Sequence, residues 1–93
     1  MNTDPRFALG QVVATPGAIK ALQEAGETPL LLLRRHQIGD WGDVPPEDAQ
    51  ENELSVAQGF RILSAYTLTT AVKIWLLTEA DRSVTTVLLP QEY

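Results

Sequence analysis

The chain reads as an α+β domain: an N-terminal strand, three helices, then a three-stranded antiparallel β-meander, with the helices packed on one sheet face. Three observations carry that reading. Thr15-Pro16 and Thr28-Pro29 each stand before an apolar stretch as an N-cap followed by a proline at the first helical position. Gly26, Gly39 and Gly59 follow the helical patterns where a C-terminal stop belongs. Beyond Gly59 the pattern changes from helical spacing to short β-type runs whose two faces alternate, Phe60, Ile62, Ser64 and Tyr66 against Arg61, Leu63, Ala65 and Thr67.

Taken in order, residues 1–6 are polar, contain a proline and read as a loose arm. Phe7 to Ala14 is apolar with paired valines and reads as the first strand. The first helix starts at Pro16, sets Ala18, Ile19, Leu22 and Ala25 on one face, and stops at Gly26. The second runs from Pro29 to Gly39 with Arg34, Arg35 and His36 in its last turns, where positive charge suits the negative end of the helix dipole. Asp40 to Pro46 is a turn-rich connection around Trp41. The third helix spans Pro46 to Gln58. It carries Glu47, Asp48 and Glu51 near its start, and only Leu54, Ala57 and Val56 are available to pack, so it is expected flat on the surface. Phe60–Leu68, Ala71–Thr78 and Ser83–Leu89 then read as consecutive antiparallel strands joined by short turns at Thr69-Thr70 and Glu79–Arg82, with Ile74 and Leu76 pointing to the core and Trp75 away from it. The whole of 1–93 is one domain, with no repeat and no linker.

The composition removes several classes of function. There is no cysteine, hence no disulfide, thiolate metal site or cysteine nucleophile, and one histidine makes a structural zinc site implausible. No metal and no cofactor are expected. The longest aliphatic run, Leu30 to Leu33, is far below a membrane span, and Met1-Asn2-Thr3-Asp4-Pro5 does not begin a secretion signal, so the expected location is the cytoplasm, away from membranes. Seven basic and twelve acidic residues leave a net charge of −5. Asp40, Asp43, Glu47, Asp48, Glu51 and Glu53 form an acidic window with no Lys or Arg among them, and the remainder of the chain is nearly neutral. Direct binding to nucleic-acid phosphate is not expected from such a chain.

Three blocks resemble something known: Ala14-Thr15-Pro16-Gly17-Ala18, Arg35-His36-x-x-Gly39-Asp40-Trp41-Gly42, and Thr78-Glu79-Ala80-Asp81-Arg82-Ser83-Val84-Thr85-Thr86 continuing through Leu88-Leu89-Pro90. Together they resemble a family of small, functionally uncharacterised bacterial proteins carried on plasmids, phages and integrated elements, some labelled plasmid-related or type I restriction subunit M. The resemblance implies a mobile-element accessory protein that binds a host or element-encoded protein, with interference in host defence as its setting. It does not imply methyl transfer: the chain has neither a Gly-rich cofactor loop after a strand nor an Asn-Pro-Pro-aromatic tetrad.

Two sets of residues are candidates for chemistry or contact. His36 with Asp40 and Asp43, joined by Asp81 and Arg82 from the strand turn, would supply a base, carboxylates and a cation at the rim for a small hydrolase or nuclease using His36, Asp40 and Asp81; the structural alternative has His36 at a helix end and Asp40 and Asp81 bonding turn amides. Trp41, Asp43, Glu47, Asp48, Glu51 and Arg82 are the candidates for binding a partner, Trp41 being either a plug over the core or an anchor. The acidic window is either a solvated helix face or a patch that imitates phosphates before a basic partner. Only Arg61 and Lys73 guard the strands of the meander, so pairing with a second copy is a further possibility.

Overall fold

The computed structural model describes residues 4–93. In chain order the elements are β1 (Gln11–Ala14), α1 (Pro16–Ala25), α2 (Pro29–Gln37), α3 (Pro46–Gln58), β2 (Ile62–Thr67), β3 (Lys73–Thr78) and β4 (Val84–Leu88), followed by a 3-10 turn over Pro90–Glu92. Among the described residues this is an α+β arrangement of three α-helices and one four-stranded mixed sheet in the order β1-β4-β3-β2.

The helix starts follow from the Thr-Pro pairs. Thr15 Oγ1 accepts from the Ala18 amide at 3.1 Å and Thr28 Oγ1 from the Leu30 amide at 3.2 Å, each satisfying an amide that the first turn leaves without a partner. β2 pairs antiparallel with β3 and β3 with β4, while β1 lies parallel to β4 with Val12 opposite Thr85 and Ala14 opposite Val87. Sequence alternation defines which residues share a face but not which strand β1 joins, and the parallel pairing became visible only in three dimensions. β1 is also shorter than the expected Phe7–Ala14. Gly10 breaks the extended run at φ +65°, and a side chain there would collide with the backbone of Arg82 and Ser83.

The core lies between one face of the sheet and the first two helices. Ala18, Ala21 and Leu22 of α1 and Leu32 and Leu33 of α2 pack against Tyr66, Ile74, Leu76 and Val87. Ile74 and Leu76 are fully buried and Trp75, on the other face, is half-buried, as the alternation requires. Burying a side chain the size of Leu or Ile contributes about 1.5–3 kcal/mol, so these few residues dominate the apolar stabilisation.

α3 does not join α1 and α2 on that face, and it does not pack through the residues expected. Leu54 is exposed, as is Ala57, whereas Asn52 and Ser55 are buried. The helix lies along the edge of β2, where the Asn52 amide donates to the Leu63 carbonyl at 2.8 Å and accepts from the Leu63 amide at 3.2 Å. A strand edge offers backbone polar groups, so the matching helix face is polar. The loop before α3 completes this cover: the Ala65 amide donates to the Trp41 carbonyl at 3.1 Å and the Asp43 amide to the Ala65 carbonyl at 2.7 Å. Gly42, at φ +76°, permits that approach, because a side chain would strike the Ala65 carbonyl and the Tyr66 ring.

Residues 1–3 of the expected loose arm lie outside the described residues. Arg6, however, is tied down: its amide donates to the Gln37 carbonyl at 2.8 Å and its guanidinium grips Glu53. No helix among the described residues is long and apolar enough to cross a membrane.

Candidate functional site

His36 lies on the apolar face of α2, one turn beyond Leu32 and Leu33, and is completely buried. It is the hub of a chain of polar side chains that crosses the sheet. Its Nδ1 is bonded to the Ser64 hydroxyl on β2 and its Nε2 to Thr78 Oγ1 on β3 at 2.9 Å. Thr78 Oγ1 lies 2.7 Å from Thr85 Oγ1 on β4, and Thr85 Oγ1 donates to the Leu9 carbonyl, just before β1, at 2.7 Å. Each hydroxyl has one proton, so the direction follows from the far end. Thr85 uses its proton on Leu9, Thr78 therefore donates to Thr85, and His36 donates from Nε2 to Thr78. Nδ1 is left as an acceptor for Ser64. His36 is thus the neutral Nε2–H tautomer. Burial, and secondarily the charge of Arg82, push its pKa down to about 4.

A serine hydroxyl on a histidine nitrogen is the contact of an activated nucleophile, but Ser64 and His36 both have zero exposure. Neither side chain is open to solvent. The expected helix-end role of His36 is also corrected: the apolar spacing with Leu32 and Leu33 turns the ring inward, where it meets Phe7 edge-on at 5.0 Å and Trp41 at 6.1 Å.

The carboxylates expected beside His36 are engaged elsewhere. The Asp40 carboxylate accepts from Arg35 Nε at 2.7 Å on the surface, which holds its pKa below the usual carboxylate range, and its carbonyl accepts from the Tyr66 hydroxyl at 2.7 Å. Asp81 accepts from the Ser83 hydroxyl at 2.6 Å and the Ser83 amide at 3.0 Å, a local turn bond. The ring nitrogens of His36, the Asp40 carboxylate and the Asp81 carboxylate share no hydrogen bond. Arg82 does not stand free at a rim. Its guanidinium donates to the carbonyls of Phe60 at 2.7 Å, Ser55 at 2.8 Å and Glu79 at 3.1 Å, tying the end of α3 to the β3–β4 turn. Trp41 is the plug rather than the anchor: it is buried, lies nearly parallel to the Phe7 ring at 6.2 Å, and donates from Nε1 to Glu53 at 3.0 Å.

The acidic window divides accordingly. Asp40 and Glu53 are paired with arginines, and Asp43 accepts from the Thr67 hydroxyl at 2.7 Å. Glu47, Asp48 and Glu51 are exposed and, among the described residues, none is in an ion pair. Asp48 and Glu51 stand at the rim of a groove of about 480 Å³ between α3 and the outer sheet face, floored by Leu63 and Leu77. Leu54, Phe60 and Tyr93 border the same groove with more than half of their surface exposed, and Asn52, Ser55 and Arg61 complete the lining. An apolar floor inside a charged rim is the anatomy of a protein-binding surface. Among the described residues no group of three or more His, Cys, Asp or Glu side chains could hold a metal ion.

Ser64, Thr78, Thr85 and Asn52 carry much of the polar interior, and none of them is among the candidate site residues read from the sequence. A signal existed for the first three: each occupies the inward phase of its strand, alternating with Ile62 and Tyr66, with Leu76, or with Val87. The chain matches no family model, no curated protein and no solved structure.

Proposed function

We propose that this chain is a non-catalytic accessory protein that acts by binding another protein through the groove and acidic flank of α3. The observation that carries the reading is the contrast within the acidic window. Asp40 and Glu53 have arginine partners, whereas Glu47, Asp48 and Glu51 have no ion-pair partner among the described residues, and Asp48 and Glu51 border the groove with Arg61 and exposed Leu54, Phe60 and Tyr93. Such a surface suits a partner that presents basic residues around an apolar side chain. The resemblance to proteins of plasmids, phages and integrated elements supplies the setting: a host or element-encoded protein, with a defence nuclease, whose nucleic-acid channel is basic, as the target class. A hydrolase or nuclease built on His36, Asp40 and Asp81 finds less support, since the three side chains are bonded to other groups and the histidine is sealed.

The test begins with capture of the partner from host lysate and continues by calorimetry at low and high salt. Glu47→Lys combined with Glu51→Lys leaves the fold intact and weakens the complex about tenfold or more at low salt, with the difference shrinking as salt rises. Equal affinity for wild type and the double variant would return the flank to a solvated surface.

A further inference from the structure

The two outer edges of the sheet are treated differently, and one is left open. β2 is covered by Asn52 and by the Trp41–Asp43 turn, as described above. β1 is the other terminal strand. The amides of Gln11 and Thr15 donate inward to Ser83 at 2.9 Å and Val87 at 3.0 Å. In a ladder the amide and carbonyl of one residue point the same way and alternate along the strand, so Val12 and Ala14 direct theirs outward. Nothing in the sequence guards this edge: no charged residue lies between Arg6 and Lys20, and no proline lies within β1. Beside it, between β1 and α2, runs a mainly apolar groove of about 430 Å³ lined by Leu9, Val12, Leu30, Leu31 and Leu33, with Arg34 and Gln37 from the following turn of α2. Leu30 and Leu31 are 69% and 66% exposed, the two most exposed large hydrophobic residues described.

We propose that two copies of this chain join antiparallel along β1 into one continuous eight-stranded sheet. An added strand must offer backbone groups to Val12 and Ala14 and set apolar side chains over the groove. A second β1 does both. With Val12 of each copy opposite Ala14 of the other, the pair closes four backbone hydrogen bonds around a two-fold axis through Val13. Because Val12 shares the helix side of the sheet with Thr85, the two-fold brings both Val12 side chains, and the Leu30 and Leu31 of both α2 helices, to the same side of the joined sheet. The one charge lining the groove is Arg34, which each copy carries exposed to solvent, where screening weakens its repulsion of the other. The acidic window lies beyond β2, at the opposite end of the sheet. Seven inter-strand spacings of ~4.8 Å separate the two β2 strands in the dimer by ~34 Å, several Debye lengths at physiological salt. A strand from a different protein would satisfy the edge hydrogen bonds, but the two-fold self-complementarity of valines and leucines selects a copy of the same chain.

The chain has no cysteine, which makes a single introduced thiol unambiguous. Val13 is 39% exposed and faces its own copy across the proposed axis, so Val13→Cys is expected to form a disulfide-linked dimer under mild oxidation. Gln58→Cys, on the far side of the molecule, is the comparison and is expected to remain largely uncrosslinked at the same concentration. Sedimentation velocity on the wild type is expected to show a concentration-dependent monomer–dimer equilibrium. Val13→Lys and Leu31→Glu, both on exposed positions and checked for fold by circular dichroism, are each expected to raise the dissociation constant about tenfold or more. A wild type that sediments as a monomer up to its solubility limit overturns the proposal. So does a dimer indifferent to both substitutions, or crosslinking of Val13→Cys no faster than that of Gln58→Cys.

Discussion

At the β2 edge the outward groups of Leu63 meet the side chain of Asn52, and those of Ala65 meet the backbone of Trp41 and Asp43. At the β1 edge the outward backbone groups of Val12 and Ala14 have no hydrogen-bond partner among the described residues, and the groove beside them is lined mainly by leucines. Both edges present the same unsatisfied peptide groups, and the fold answers one of them with its own polar residues. The difference teaches where stability and assembly are separately encoded. Closing β2 belongs to folding, because the cover is built from the connection and helix that precede that strand. Leaving β1 short and apolar is harmless to the monomer and decides what can join it.

The chain of hydroxyls through His36 runs from the closed edge to the open one, so breaking its hub is the most severe disturbance of both. His36→Leu leaves the Ser64 hydroxyl without its partner and removes a donor from Thr78, and it deletes the ring contacts with Phe7 and Trp41; a loss of about 4 kcal/mol in urea unfolding is expected. A loss below about 1 kcal/mol would show that the chain is dispensable.

Acid attacks the same hub without mutation. The folded protein holds His36 neutral to about pH 4, whereas an unfolded histidine takes up its proton near 6.5. Between those values the unfolded state binds more protons, so stability falls as pH drops from 6.5 and levels off near 4, by ~3 kcal/mol in all. His36 is the sole histidine, and the carboxylates held below their ordinary range, Asp40, Glu53, Asp81 and Glu92, cost stability only as pH falls through the ordinary carboxylate values, so the part of the window above those values reports His36. Urea midpoints measured at half-unit intervals should show this slope in the wild type. His36→Gln should flatten it; a slope that survives the substitution would assign the window to other groups.

Asn52→Ala tests the closed edge alone. It strips a buried amide and carbonyl of their partners and should cost about 2 kcal/mol, with the Leu63 amide exchanging faster while amides of β4 stay protected. Unchanged exchange at Leu63 would mean that the edge is held by the Trp41–Asp43 turn by itself. The mildest change is expected at the open edge. Val13→Lys should shift monomer stability by no more than about 0.5 kcal/mol, because its side chain leaves the outer face toward solvent. A large loss there would erase the contrast between the edges.

How much of this could be read from the sequence depends on the kind of contact. Thr15 and Thr28 cap their helices because capping is local, and Ile74 and Leu76 are buried because alternation records which side of a strand faces the core. Hydropathy is blind to a helix that docks on a strand edge, so the roles of Asn52 and Ser55 were hidden while Leu54 and Ala57 drew attention. The parallel place of β1 beside β4 depends on a contact across some seventy residues of chain, on which local pattern says nothing. Among the candidate residues, Glu47, Asp48 and Glu51 are exposed as their composition suggested. His36 and Asp40 share a motif and Asp81 lies in another, and the three side chains are bonded to different groups. Neighbours in sequence at a helix end point in different directions around the axis, and the apolar face of α2 had already claimed the histidine.

The parallel pairing of β1 with β4 has a mechanical consequence. A force applied through the chain before β1 and after β4 pulls on opposite ends of two parallel, adjacent strands. The load is therefore in shear: the ladder from Gln11–Val84 to Ala14–Val87 must yield together, instead of opening one bond at a time as a hairpin does. The Thr85 bond to the Leu9 carbonyl adds a side-chain rung near the start of the same ladder. Threaded from either end by a cellular unfoldase, this small domain would resist at its first and last strands, and the remaining sheet would be exposed only after that joint had slipped.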